Sequence, residues 1–153
     1  MKVLPELHPK EAETAAANIL ELPKGLIGFP AYHRAELRYL PENLPFLWLT
    51  IQGPPGPVNF VVVEPAGLIP GYELELFDAD AASIGLEDAA DALVLNIVAL
   101  RPQAPLEATV NLIGPIVVNR RTRVARQVVI ANNSHYSARH PLLQNEACAS
   151  ANT

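Results

Sequence analysis

A single cysteine, Cys148, is the whole thiol inventory of the 153-residue chain, so neither an internal disulfide framework nor a cysteine-based zinc site can form within it. That usage points to a reducing compartment, and the chain is expected to be cytoplasmic. Long apolar runs are missing too. No stretch approaches the ~18 residues of a membrane-spanning helix, and Met1 to Asn18 carries no continuous apolar segment of the secretory-leader kind. Gly-x-Gly-x-x-Gly, Gly-Lys-Ser/Thr and Gly-x-Ser-x-Gly are all absent, which leaves nucleotide chemistry and an elbow-type nucleophile without a foothold. No catalytic residue, cofactor site or metal site is therefore expected. Positive charge is absent over forty positions in the middle of the chain: from Val61 to Leu100 there is no Lys or Arg, while Glu64, Glu73, Glu75, Asp78, Asp80, Glu87, Asp88 and Asp91 all fall there.

What is present suits one domain of ordinary size, in which roughly 68 to 70% of the unfolded surface becomes buried. Half the residues are hydrophobic, enough for a core without staples. The 15 prolines fall between apolar runs, where their fixed φ and missing N–H punctuate strands and oppose long helices. The net charge of -5 hides an uneven spread, because from Arg101 onward six arginines face only Glu107 and Glu146. Should the fold separate these segments, an acidic and a basic patch result.

Residues 1–17 show no sustained period and are read as a weakly ordered arm, with a helical turn around Glu11 to Ala16. One β domain is expected over 18–143, with a flexible tail over 144–153. Asn18 to Leu22 is a short strand. The glycines and prolines of Leu22 to Pro30 then force a turning loop whose Leu26, Ile27 and Phe29 need cover. Phe46 to Ile51 and Val58 to Glu64 read as a hairpin across Gly53 to Pro57. Tyr72 to Phe77 alternates, with Tyr72, Leu74 and Leu76 inward and Glu73 and Glu75 outward. Asp78 as N-cap and Gly85 as terminator bracket the one expected helix, Ala79 to Ile84. Leu93 to Leu100 is apolar on both faces except at Asn96, as in a central strand whose amide needs partners. Glu107 to Ile113 and Ile116 to Asn119 follow around a bend at Gly114-Pro115, and Arg123 to Ala131 pairs back after a turn. The class is mainly all-β: an antiparallel, barrel-like or sandwich domain with one short helix.

Candidate chemistry is thin. His135 and His140 lack a companion acid or thiol and the usual zinc spacing. Arg120, Arg121, Arg123 and Arg126 suggest a nucleic-acid surface, but no aromatic residue is interleaved for base stacking, and charges on an edge strand commonly guard against aggregation. The acidic run could form a solvated face or a protein-docking patch. The most specific stretch, Ser134 to Leu143, is polar yet holds Tyr136, Leu142 and Leu143, as a tail that packs on the body and presents Arg139 and His140.

Seven blocks, in order, carry a family resemblance: Leu22 to Phe29, Pro45 to Leu49, Asn59 to Val63, Leu93 to Val98, Val110 to Asn119, Gln127 to Ile130, and Tyr136-Ser-Ala-Arg-His-Pro-Leu142. Together they resemble the bacterial flagellar assembly factor FliW family over about Leu22 to Leu143. The chain departs from the family pattern in its irregular Lys2 to Ala17 opening and in lacking a glycine within Arg123-Val-Ala-Arg126. The resemblance implies an antiparallel barrel-like fold and a protein antagonist that binds the translational repressor CsrA, relieves repression of flagellin synthesis, and binds flagellin. No direct nucleic-acid or membrane partner is implied. On this basis the docking surface is expected to use Phe29, Tyr72, Glu73, Glu75, Tyr136, Arg139 and His140. The competing expectations are a small-ligand-binding or hydrolytic barrel, which needs a wet interior cavity of roughly 300 Å³ or more, and direct RNA binding through the arginines.

Overall fold

Alternation of apolar and polar side chains along most segments dictates strands, and the computed structural model builds a sheet-dominated fold from them. It describes residues 1–6, 18–101 and 107–142; the helical turn expected around Glu11 to Ala16 and the tail from residue 144 lie outside these. In chain order the strands are β1 (Lys2–Val3), β2 (Ile19–Glu21), β3 (Arg34–Arg38), β4 (Leu47–Gln52), β5 (Val58–Val63) and β6 (Leu74–Glu75). After the helix α1 (Asp78–Ser83) come β7 (Ala92–Arg101), β8 (Glu107–Val110), β9 (Ile116–Asn119), β10 (Ala125–Gln127) and β11 (His140–Pro141). The main sheet runs β10-β9-β7-β5-β4-β3-β2, with β8 added to β7 and β11 to β8. All its named strand pairs are antiparallel.

The two end strands meet. Glu21 of β2 forms a parallel bridge with Val124, and its N–H donates to the carbonyl of Arg123 at 2.8 Å. The sheet therefore curls into a barrel-like ring held at that seam by one bridge. Inside lie Leu20, Leu37, Leu49, Ile51, Val62, Leu93, Leu95, Ile116, Val118 and Ala125, which form one buried cluster. Side chains two residues apart share a face, so the intervening residues of the same strands point the other way. Val63, Val94, Val98 and Val117 accordingly join a second cluster with Val3, Tyr72, Leu74, Leu76, Ala81, Ile84, Val110, Leu112 and Ile130. Strand β7 is thus the wall between two cores, which is why its sequence is apolar on both faces.

Strands β9 and β8 share one edge of β7, Ala92 to Leu95 pairing with β9 and Val98 to Arg101 with β8. Between them Asn96 and Ile97 face the longer stretch Asn111 to Pro115, so the second strand bulges there, at the expected Gly114-Pro115 bend. Asn111 organises the bulge, its Oδ1 accepting from the N–H groups of Ile113 and Gly114 at 3.1 and 3.0 Å. Helix α1 closes with the N–H of Gly85 on the carbonyl of Ala82 and the N–H of Leu86 on that of Ala81, while Gly85 sits at φ +66. This double bond suits a residue without a Cβ, which explains the glycine.

Several expectations need correction. Asp78 is not the N-cap: Phe77 holds that position without a side-chain bond, and the capping aspartate is Asp88, whose Oδ1 accepts from the Ala90 N–H at 2.9 Å in the next short turn. Lys2 and Val3 are not loose but pair with β6. Of the loop's apolar residues, Leu26 is buried and Phe29 half-buried, whereas Ile27 remains 61% exposed. Strand β3 has no counterpart in the expected element set.

The charged segments also come together rather than apart. Arg126 lies 3.6 Å from Asp80, Arg121 reaches Asp91 at 4.0 Å, and the Arg120 N–H donates to the Asp91 carbonyl at 2.8 Å. Lys2 pairs with Glu73 at 3.3 Å and the Met1 amino group with Glu75 at 2.8 Å. Much of the acidic run is balanced by neighbouring cations.

Candidate protein-docking site

Strand β6 is short, and its two edges are finished differently. On one edge Lys2 pairs with Glu75 and Val3 with Leu74, and the Leu76 N–H donates to the Met1 carbonyl at 2.8 Å. The other edge, made by the backbone of Glu73 and Glu75, is met mainly by side chains of the segment after β10. The Glu75 N–H donates to Asn132 Oδ1 at 2.9 Å, and Asn132 Nδ2 donates to the Glu73 carbonyl at 2.9 Å. Because a backbone N–H can only donate and a carbonyl only accept, these partners fix the orientation of the Asn132 amide. The Glu73 N–H donates to Tyr136 Oη at 3.0 Å, and the Glu75 carbonyl accepts from the Ala131 N–H at 2.7 Å. One asparagine and one tyrosine hydroxyl stand where a neighbouring strand would be.

Beneath this edge Tyr72 and Tyr136 meet edge to face, with ring centroids 4.9 Å apart and an 89° angle between planes. Tyr72 is buried, and its hydroxyl donates to the Leu112 carbonyl at 2.6 Å. The same oxygen accepts from Asn96 Nδ2 at 3.2 Å, and that amide also donates to the Asn111 carbonyl at 2.9 Å. Asn96 thereby fastens the bulge, while its own Oδ1 is buried without a partner. Burial pushes the Tyr72 phenol up to about 12, against the opposing pull of the Asn96 hydrogen bond and with a smaller push from Tyr136.

The structure places the expected docking residues in two groups. Tyr72, Glu73 and Glu75 adjoin Tyr136, as described. Arg139 is exposed on the same segment, with its N–H on Ser137 Oγ at 3.0 Å, and half-buried His140 begins β11 opposite Val110. Phe29 belongs elsewhere: half-buried, it packs against the ring's core, edge-on to Tyr32 and Phe60 at 5.5 Å each. Asn132 and Ala131 complete the site but carry no compositional signal beyond the Asn-Asn pair after Ile130-Ala131.

Alternative chemistry finds little support. Among the described residues no three His, Cys, Asp or Glu side chains gather as a ligand set. A shallow polar depression of about 350 Å³ lies on the surface by Gly85, Asp91, Asn119 and Arg121, and another of about 390 Å³ by Ile19, Arg34 and Gln52. Neither is an interior cavity of the kind a ligand barrel uses. Among the described residues no helix is long and apolar enough to cross a membrane.

The FliW protein family model matches residues 6–142. This chain belongs to the FliW family. Relatives named flagellar assembly factor FliW include one from Geotalea uraniireducens (strain Rf4), 34% identical over 138 residues, covering 88% of this chain and 80% of the relative. Another, from Natranaerobius thermophilus, is 32% identical over 139 residues and covers 91% of each chain. A crystal structure of a flagellar assembly factor FliW matches with a TM-score of 0.69 at 27% identity, covering 89% of this chain and 88% of that one. The shared FliW fold is thus the curled antiparallel sheet described above. The family-model match, residues 6–142, spans both the ring and the segment that closes the β6 edge.

Proposed function

We propose that this FliW-family chain is a non-enzymatic, cytoplasmic protein antagonist that binds the translational repressor CsrA, relieves repression of flagellin synthesis, and also binds flagellin. The observation that carries the reading is the family match over residues 6–142. It is supported by two cores filled with apolar side chains, which leave the outside of the molecule to act. The β6 site and the segment that closes it, with Glu73 and Arg139 exposed and Tyr136 and His140 half-buried, offer polar and aromatic surface, a composition suited to protein contacts.

Direct RNA binding is disfavoured because Arg121 and Arg126 already face Asp91 and Asp80. The test uses the purified chain, CsrA, flagellin and a labelled flagellin leader RNA. The chain should release RNA from CsrA in a gel shift, added flagellin should restore the CsrA–RNA band, and the chain alone should not shift the RNA. Failure to bind CsrA and flagellin at micromolar concentrations in calorimetry overturns the proposal.

A further inference from the structure

The backbone of Glu73 and Glu75 is strand edge, yet its partners are chiefly side chains on a segment with no buried residue from Ala131 to Pro141. Besides the bonds to β6, that segment is held by the Ser137 carbonyl accepting from the Leu112 N–H at 3.0 Å, by β11 on β8, and by the Leu142 N–H on the Ala108 carbonyl at 2.9 Å. Its apolar anchoring is limited to the half-buried Tyr136 and Leu142, which pack against the second core, and hydrogen bonds near solvent with so little apolar burial mark the part of a fold that opens most readily. An edge whose donors and acceptors become free is a template for an added strand.

We propose that this outer edge of β6 is a docking edge for an extended, cationic segment of a partner protein, which enters by displacing Asn132 and Tyr136. The opposite edge shows what β6 accepts. There Lys2 sets its ammonium 3.3 Å from Glu73 while Val3, completely buried, points into the core. A strand on the outer edge runs beside the same two half-exposed glutamates, each engaged by Lys2 or the Met1 amino group through one carboxylate oxygen and open at the other, and beside the same inward face next to Tyr72, so a Lys/Val alternation fits it too. Asn132 and Tyr136 act as a removable plug that keeps the edge from pairing indiscriminately. The proposal is separate from the CsrA and flagellin reading and can fail without it.

The probe is a fluorescein-labelled, acetylated Lys-Val-Lys-Val-Lys-Val peptide added to the full chain, with the same peptide N-methylated at alternate residues as control. Asn132→Ala removes two of the plug's bonds and should tighten binding about tenfold by anisotropy, at roughly 1 kcal/mol or less per bond. Tyr136→Phe removes one acceptor, keeps the ring, and should tighten it about threefold; it carries the test if Asn132→Ala proves unfolded by circular dichroism. Hydrogen exchange should show the Glu75 amide exposed in free Asn132→Ala and the Glu73 amide exposed in free Tyr136→Phe, each protected again with peptide. The N-methylated peptide should not bind, since it keeps the charge but lacks the donors. Equal binding by wild type and variants, equal binding of the control, or continued exposure of the freed amide in the complex overturns the proposal. So does concentration-dependent dimerisation of the variants that excludes peptide, because the edge is then taken by a second copy.

Discussion

Replacing Tyr72 with Phe removes one oxygen and leaves the ring, and its cost follows from what that oxygen touches. The hydroxyl donates to the Leu112 carbonyl at 2.6 Å and accepts from Asn96 Nδ2 at 3.2 Å, both in buried surroundings. In the variant the Leu112 carbonyl loses this donor, while Asn96 keeps its bond to Asn111. Stranding a buried polar group costs roughly 1–3 kcal/mol, so a loss of about 2 kcal/mol is expected in urea at pH 7, with an unchanged slope. A chain of this size should then melt about 4–8 °C lower. A second signature lies in alkali. The folded phenol is pushed up to about 12 from an ordinary value of 10, so the folded state holds its proton where the unfolded chain has lost it. The stabilisation is fully present below pH 10 and disappears as pH rises through 12; about 1.4 kcal/mol should be gone at pH 11 relative to pH 8. Tyr72→Phe lacks that increment, so the two stability curves should converge between pH 9 and 11. A loss under about 0.5 kcal/mol at pH 7, together with parallel curves in alkali, refutes the account of the Tyr72 network.

Three further outcomes are expected. Leu95→Ala, at a position wholly buried in the ring's core, should cost about 2–5 kcal/mol in denaturant melts. Asn119→Ala removes the amide that donates to the carbonyls of Ile84 and Gly85 at 3.0 and 3.1 Å and accepts from the Arg121 N–H; it should cost about 1–3 kcal/mol and raise exchange at Arg121, readable by mass spectrometry. Glu73→Lys places a second cation beside Lys2 at an exposed site, so stability should change by less than about 1 kcal/mol while low-salt affinity for CsrA falls severalfold in calorimetry.

The strands buried on both faces were the most legible, because a run such as Leu93 to Leu100 has few other ways to satisfy its apolar side chains. Asn96 was legible as a demand for partners, though nothing in the sequence names Tyr72 and Asn111 as the suppliers. Strand β3 shows what charge conceals. Ala35 and Leu37 alternate inward between Arg34, Glu36 and Arg38, and the alternation, not the composition, was the usable signal. A two-residue strand such as β1 has no period to detect. The charge patches expected from the linear sequence dissolve because Asn119 and the turn after it fold onto the end of α1, bringing Arg121 and Arg126 to Asp91 and Asp80. Asn132 escaped notice for a different reason: a side chain that substitutes for a backbone leaves no mark in hydrophobicity.

The seam between Glu21 and Arg123 joins residues at opposite ends of the domain. During synthesis the second of them leaves the ribosome long after the first, so β2 must wait with its edge open while almost everything between is made. Contacts spanning so much chain form late and slowly. A nascent chain arrested before Val124 should therefore lack the ring, expose strand edges to its neighbours, and depend on release or on chaperones to escape aggregation.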